Sequence, residues 1–285
     1  MPRYKLTLEY TGTKYSGWQI QKNARTVQGE LQRAIATVIS GTPLELYGSG
    51  RTDAGVHALA QVAHVELSAS MPPEILRMKL NDELPSDVHV LAVQPVGRRF
   101  HARHTAVARS YLYQISRRRT ALAKPFVWWI KDDLDVRRMA EAAALFRGMH
   151  DFQSFTDADP EEETRVLLEG CEVAEEGALI PVRVVGSHFL WKMVRRLVGV
   201  LAGVGRGTLT IGDVAGFLNA RSGVPAQLTA PPSGLFLEGV YYEGEPGPGP
   251  IRPAVPVPAF TAPKVSAATA FEAPPRRPPP RGRRP

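Results

Sequence analysis

Apolar and polar side chains alternate at the start of the chain. Tyr4, Leu6, Leu8 and Tyr10 are separated by Lys5, Thr7 and Glu9, a period of two that predicts a half-buried strand. After Thr26 the period lengthens. Val27, Leu31, Ile35, Val38 and Ile39 recur at helical spacing, with Thr26 suited to the N-cap and Gly41 to the C-terminal stop. A Gly-rich turn then leads into a strand over 56–67, a helix around 72–81 and a strand around 88–96. A second run of elements follows the same order. A strand over 110–115 carries Tyr111, Tyr113 and Ile115 on one face, and a helix is expected over 136–146. Strands over 166–174 and 178–185, helices over 189–203 and 210–219, and a closing strand over 235–242 complete it. Two α+β units in tandem, residues 1–105 and 106–243, imply two halves with a cleft between them. The two runs share no clear sequence repeat.

The remainder, residues 244–285, reads differently. It holds 13 of the 25 prolines and ends in an Arg/Pro run, so a disordered Pro/Arg-rich tail is expected. That tail is either a dispensable extension or an arm that touches RNA. It also changes the meaning of the charge. Seven Lys/Arg against two Asp/Glu after residue 243 account for +5 of the net +7, leaving +2 for residues 1–243. RNA binding by the body therefore has to be argued from local clusters. With 44% hydrophobic residues in 285, the chain has material for a sizeable core. It has neither a charge-free apolar run of about 18 residues nor the apolar block of a secretion signal. Cys171 is the single cysteine, which excludes an intramolecular disulfide and argues against a thiolate zinc site. A cytoplasmic location is expected.

The densest chemistry lies in Gly48-Ser-Gly-Arg51-Thr-Asp53-Ala-Gly55-Val-His57-Ala. The glycines permit backbone conformations closed to other residues, and Arg51 and Asp53 sit between them in a loop joining two strands. A guanidinium nearby would keep a carboxylate anionic, as a nucleophile or base requires. A tight turn in which Asp53 bonds its own backbone explains the same residue types. His57 and His64 are seven apart on a strand and face opposite sides, so no metal is expected. Basic candidates for a phosphate track are Lys14, Lys22 and Arg25 around Trp18, then Arg103 and Arg109. His188, Lys192 and Arg195 would share one face of the 189–203 helix. Asp157 to Glu163 is acidic and is expected to stay off phosphate.

Arg51-Thr-Asp-Ala-Gly-Val-His-Ala resembles the signature of the TruA-type tRNA pseudouridine synthases. The resemblance continues in order through Tyr10 to Gln21, Thr26-Val-Gln-Gly-Glu-Leu, Asn81 to Pro85, Phe100-His-Ala-Arg, Arg109-Ser-Tyr-Leu-Tyr, Met193-Val-Arg and Gly234-Leu. It spans residues 4–242 and leaves the tail outside. It implies an α+β fold of two RNA-recognition-like (ferredoxin-like) halves, one mainly antiparallel sheet and a central catalytic cleft. It implies a homodimer that needs no cofactor and acts on tRNA anticodon stem-loop uridines at positions 38, 39 and 40. Asp53 takes the place of the catalytic aspartate, and Arg51 that of the arginine which pairs with it and holds the target nucleotide out of the stack. Tyr111 takes the place of the tyrosine against the target base, Arg195 of a second active-site arginine, and Leu235 of an apolar wall. Lys192 and Arg196 would then meet phosphates. A synthase for another RNA, or a non-catalytic tRNA-binding protein of the same fold, would share much of this pattern.

Overall fold

The computed structural model describes residues 1–41, 43, 45–157 and 163–260. Its elements run β1 (Arg3–Tyr10), α1 (Val27–Ile39), β2 (Glu45–Gly48), β3 (His57–Glu66), α2 (Pro73–Glu83), β4 (Val88–Val96) and β5 (Ala106–Ser116). They continue with β6 (Trp128–Trp129), α3 (Val136–Ala144), β7 (Gly148–Asp151), β8 (Arg165–Val173), β9 (Leu179–Gly186), α4 (Met193–Gly205), α5 (Ile211–Asn219), α6 (Val224–Gln227) and β10 (Leu235–Tyr242). All ten strands form one sheet in the order β4-β1-β3-β10-β5-β9-β8-β7, with β2 added to β3 and β6 to β5. Every pairing is antiparallel except β10 with β3 and β6 with β5. The fold is therefore α+β on a mostly antiparallel sheet.

The strand alternation is realised in β1, where Tyr4, Leu6, Leu8 and Tyr10 are all buried. They join Leu31 and Ile35 of α1 and Leu76 and Leu80 of α2 in one core. A second core joins Met139 of α3, Leu197 and Leu201 of α4 and Val214 of α5 to Ile180, Val182 and Val184 of β9. Tyr111 of β5 packs against both cores, so it stands at their seam.

Two helix boundaries differ from expectation. The Thr26 hydroxyl accepts from Gly29 N–H, as an N-cap should. At the other end of α1 it is Ser40, at φ 52, that takes the left-handed conformation, while the Gly41 amide bonds back to the Ala36 carbonyl. The expected 189–203 helix begins only at Met193, because Lys192 adopts φ 62 and breaks the helical path. His188 and Lys192 thus precede the helix and share no face with Arg195.

The expectation of a disordered tail from Gly244 is overturned for residues 245–260. Glu245 pairs with Lys5 at 2.6 Å, and Arg183 donates to the carbonyls of Gly249 (2.7 Å) and Pro250 (3.3 Å). Val255 N–H donates to Gln114 Oε1, Ala178 N–H donates to the Val257 carbonyl, and the Val257 side chain is buried. Proline restricts the unfolded chain and leaves its carbonyl free to accept, so this composition suits a strap pinned by donors as well as a loose tail. Gln114 has the opposite parity to Tyr111 on β5, so the strap lies on the sheet face away from Tyr111. Residues 261–285, with the terminal Arg/Pro run, and 158–162 of the acidic run lie outside the described residues.

Candidate active site

The loop between β2 and β3 is clamped from below by a buried polar network. Ser49 donates its hydroxyl to Gln61 Oε1 at 2.8 Å, and Gln61 Nε2 donates to the Gly50 carbonyl at 3.2 Å. Tyr10 and Thr52 share a hydroxyl hydrogen bond of 2.8 Å, and burial pushes the Tyr10 hydroxyl well above its ordinary range. The segment after β1 closes over the loop through Trp18 N–H to the Thr52 carbonyl. Gly17, at φ 93, is required there: a Cβ would stand 2.5 Å from the Thr52 carbonyl oxygen. Of the loop's own glycines, Gly55 alone has a positive φ.

This clamp leaves the Asp53 side chain free of the turn. The Asp53 backbone carbonyl accepts from Val56 N–H and closes the turn. Its carboxylate oxygens go elsewhere. Arg195 NH1 lies 3.3 Å from Oδ2, and Trp191 Nε1 donates to Oδ1 at 3.2 Å. The tight-turn reading, in which Asp53 serves its own backbone, is therefore excluded. Arg195 is itself held: its Nε donates to the Ala230 carbonyl at 2.7 Å, and Ala230 N–H donates to the Arg195 carbonyl.

These groups line an open cleft of about 990 Å³, shared with Arg51, Tyr111 and Leu235. The Tyr111 ring meets Phe189 edge-on at 4.9 Å between centroids. Burial first, and the Asp53 charge second, push its hydroxyl up to about 12. Leu235 is buried at 5% exposure and gives the cleft an apolar wall. Arg51 is exposed and makes no ion pair or hydrogen bond among the described residues. The guanidinium that meets Asp53 is thus Arg195, and the expected Arg51–Asp53 pair is corrected.

Residues 7–104 and 142–243 match the family described as tRNA pseudouridine synthase. The chain belongs to that family. The synthase is 43% identical over 251 residues to the tRNA pseudouridine synthase A of Beijerinckia indica subsp. indica, covering 86% of this chain and 96% of that protein. It is 42% identical over 246 residues to the tRNA pseudouridine synthase A of Afipia carboxidovorans, covering 85% and 100%. It is 39% identical over 246 residues to the tRNA pseudouridine synthase A of Geobacillus kaustophilus, covering 85% and 95%. The family resemblance of the Arg51-Thr-Asp motif is borne out.

Several basic residues of the synthase do not occupy the places expected of them. Arg109 lines the cleft, yet its guanidinium donates to the carbonyls of Ser187, Arg103, Ser49 and Ala106. It braces four carbonyls on three backbone segments, so little of its donor capacity remains for phosphate. Arg196 is buried at 3% exposure and paired with Asp157, which also pairs with Lys192 at 3.1 Å. The Arg196 guanidinium holds the Asp157 carboxyl below its ordinary range. Asp157, at the start of the acidic run, thereby neutralises both cations that were expected on phosphate. Arg25 pairs with Glu30 at 2.7 Å and lies over the Tyr15 ring. Lys14 and Lys22 are exposed and outside the cleft lining, whereas Gln19 and Gln21 between them reach it. Arg103 lines the cleft. The residues that sequence reasoning missed are Trp191 and Phe189. Both fall within the stretch that periodicity assigned to a helix.

His57 is a buried bridge, accepting from Gly12 N–H at Nδ1 and facing the Pro125 carbonyl through Nε2. Elsewhere Glu45, His64 and His101 bring potential metal-ligating atoms within 4.8 Å of one another. The donor set fits a cation poorly. Nδ1 of His64 accepts from Ala102 N–H, and Nδ1 of His101 accepts from the amides of Arg103 and His104. Each neutral ring must then carry its proton on Nε2, whereas a metal-binding imidazole usually keeps its proton on the other nitrogen, as a donor. Burial pushes the Cys171 thiol up to about 12, so it offers no nucleophilic thiolate at neutral pH.

Proposed function

We propose that the protein converts uridine to pseudouridine in the anticodon stem-loop of tRNA, at positions 38, 39 and 40, with Asp53 as the catalytic carboxylate. The observation that carries this reading is the Asp53 side chain. It is bonded through both oxygens to groups from the far half of the chain, in a cleft walled by Tyr111 and Leu235. In the reaction the N1–C1′ bond breaks, the uracil turns, and C5 joins C1′. The proton lost from C5 is matched by one gained at N1. Nothing is added or removed overall, so no redox cofactor or energy source is called for. Asp53 acts as a nucleophile, at C1′ or at uracil C6, or as a base at C2′.

The other residues supply capture. Extruding the nucleotide costs a few kcal/mol of unstacking, which stacking on Tyr111 offsets while the detached base turns. Leu235 closes the apolar side. Arg51, with its donors unengaged among the described residues, holds the flipped nucleotide's backbone, and Arg195 fixes the carboxylate. Arg103 at the cleft edge, with Lys14 and Lys22 beyond it, meets phosphates.

The same reading includes two RNA-recognition-like halves, 1–105 and 106–243. It is supported by the β1-α1-β2-β3-α2-β4 run with strands in the order β4-β1-β3-β2. The β5-α3-β8-β9-α4-β10 run repeats that order as β10-β5-β9-β8. It also includes a cytoplasmic homodimer. Pairing two bodies of only +2 enlarges the positive footprint offered to tRNA, and among the described residues no helix is long and apolar enough to cross a membrane.

The test is position-resolved pseudouridine mapping on unmodified tRNA transcripts, with Asp53→Asn beside wild type. The variant is expected to form no pseudouridine while keeping its melting temperature and most of its tRNA affinity. Turnover near the wild-type rate would remove Asp53 from the mechanism. Modification confined to a different RNA would move the substrate.

A further inference from the structure

Trp191 combines two properties that rarely coincide. Its indole N–H is committed to the Asp53 carboxylate at 3.2 Å, and yet the residue is 56% exposed in the cleft lining. Trp18, by contrast, is 1% exposed, and Trp128 and Trp129 are half-buried. An indole face left exposed in a cleft lined by Asp53, Tyr111 and Leu235 offers a flat surface on which a base can stack. The Lys192 ammonium lies 4.0 Å from the centre of the same ring. Lys192 stays paired with Asp157, so the exposed ring itself is the feature that matters: stacking of a base on an aromatic side chain is how single-stranded nucleic acid is commonly held.

The backbone supports the arrangement. Lys192 is one of only three non-glycine residues with positive φ among those described. Such a conformation persists only where its surroundings impose it. Here Asp157 does so, gripping Lys192 and, one turn into α4, Arg196. The turn that carries Trp191 is thus fastened to the helix that carries Arg195.

We propose that Trp191 is a positioning residue of this site: its N–H fixes the orientation of the Asp53 carboxylate, and its exposed ring stacks a base of the substrate RNA beside the captive uridine. The inference rests on the reading of Asp53 as the catalytic carboxylate. The ring and the N–H make separable contributions. Trp191→Phe keeps a stacking surface and loses the donor. Trp191→Ala loses both.

The experiment measures kcat and KM on an unmodified tRNA transcript for full-length wild type, Trp191→Phe and Trp191→Ala, with melting temperatures alongside. Trp191→Phe is expected to lower kcat about tenfold, the effect of one lost hydrogen bond to a charged group, with KM within about twofold. Trp191→Ala is expected to show the same kcat loss and, in addition, a KM raised about tenfold by the lost stacking. A second readout is independent of turnover: titrating Asp53→Asn with the transcript should quench the exposed indole, and the quench should vanish in Asp53→Asn/Trp191→Phe. Either variant matching wild type in both kcat and KM overturns the proposal, as does equal KM for Phe and Ala, or an unquenched indole. If the Ala variant melts early, the Phe variant and the quench decide. Persistent turnover in Asp53→Asn alone is the separate failure of the parent reading, and the quench is interpretable in either case.

Discussion

Arg195 and Asp53 are 142 residues apart in the chain, yet the NH1 of one lies 3.3 Å from Oδ2 of the other. The contact spans the junction where β10 runs parallel to β3, with Asp53 on the loop entering β3 and Arg195 on the helix α4. Arg195 holds its position by giving Nε to the Ala230 carbonyl and NH1 to the carboxylate. The guanidinium fork does two jobs at once.

That geometry makes Arg195→Lys a severe change. A lysine keeps the charge but replaces the rigid fork, whose Nε and NH1 reach Ala230 and Asp53 separately, with one compact ammonium on a flexible stem. The expected result is a fall of about tenfold to a hundredfold in kcat/KM, with Arg195→Ala lower still. Steady-state kinetics on a tRNA transcript checks this. A lysine variant within about twofold of wild type would show that the fork is dispensable.

Tyr111 bears on pH. Its hydroxyl titrates at about 12 in the folded state against the ordinary 10.0, so the folded protein holds this proton more tightly than the unfolded chain. The stability it contributes is complete below pH 10 and is lost as pH rises from 10 to 12. Urea midpoints should therefore fall between about pH 10 and about pH 12, and Tyr111→Phe should fall less. The hydroxyl remains protonated at working pH, so kcat for the Phe variant should run parallel to wild type from about pH 6 to about pH 9.

Arg109 is predicted to be structural. Arg109→Met leaves four backbone carbonyls without their donor and should lower Tm by roughly 5 °C or more. Losing a phosphate contact instead would flatten the slope of log Kd against log salt by about 0.7 to 0.9. Binding titrations at several salt concentrations should find that slope unchanged.

The strap separates two truncations. Ending the chain after Phe260 retains every contact described for residues 245–260. Ending it after Glu243 exposes the neighbours of Val257 and strips Arg183 of two acceptors. The shorter form should lose about 2 to 4 kcal/mol in chemical denaturation. The longer form should match wild type.

Legibility followed distance along the chain. The strand at 4–10 and the cap at Thr26 were readable because period and capping are properties of neighbours, and the structure reproduces them. The run from Phe189 to Lys192 misled because its apolar spacing continues that of α4. In the structure Phe189 and Leu190 are irregular, and the turn through Lys192, with its positive φ, separates them from α4. In the basic clusters, residue type alone did not distinguish Arg109 and Arg196, consumed by carbonyls and by Asp157, from Arg51, which is unengaged among the described residues.

By itself the sequence determined the order of the longer elements, though not β2, β6, β7 or α6, together with the motif loop and, through its family resemblance, Asp53 as the acid worth singling out. These depend on local stereochemistry and on a contiguous run of residues. Which cation meets that acid, which aromatic covers it, and where the Pro-rich segment lies depend on the sheet order. Bringing β10 between β3 and β5 sets the two halves of the chain side by side, and hydrogen bonds of about 3 Å form only between groups so placed.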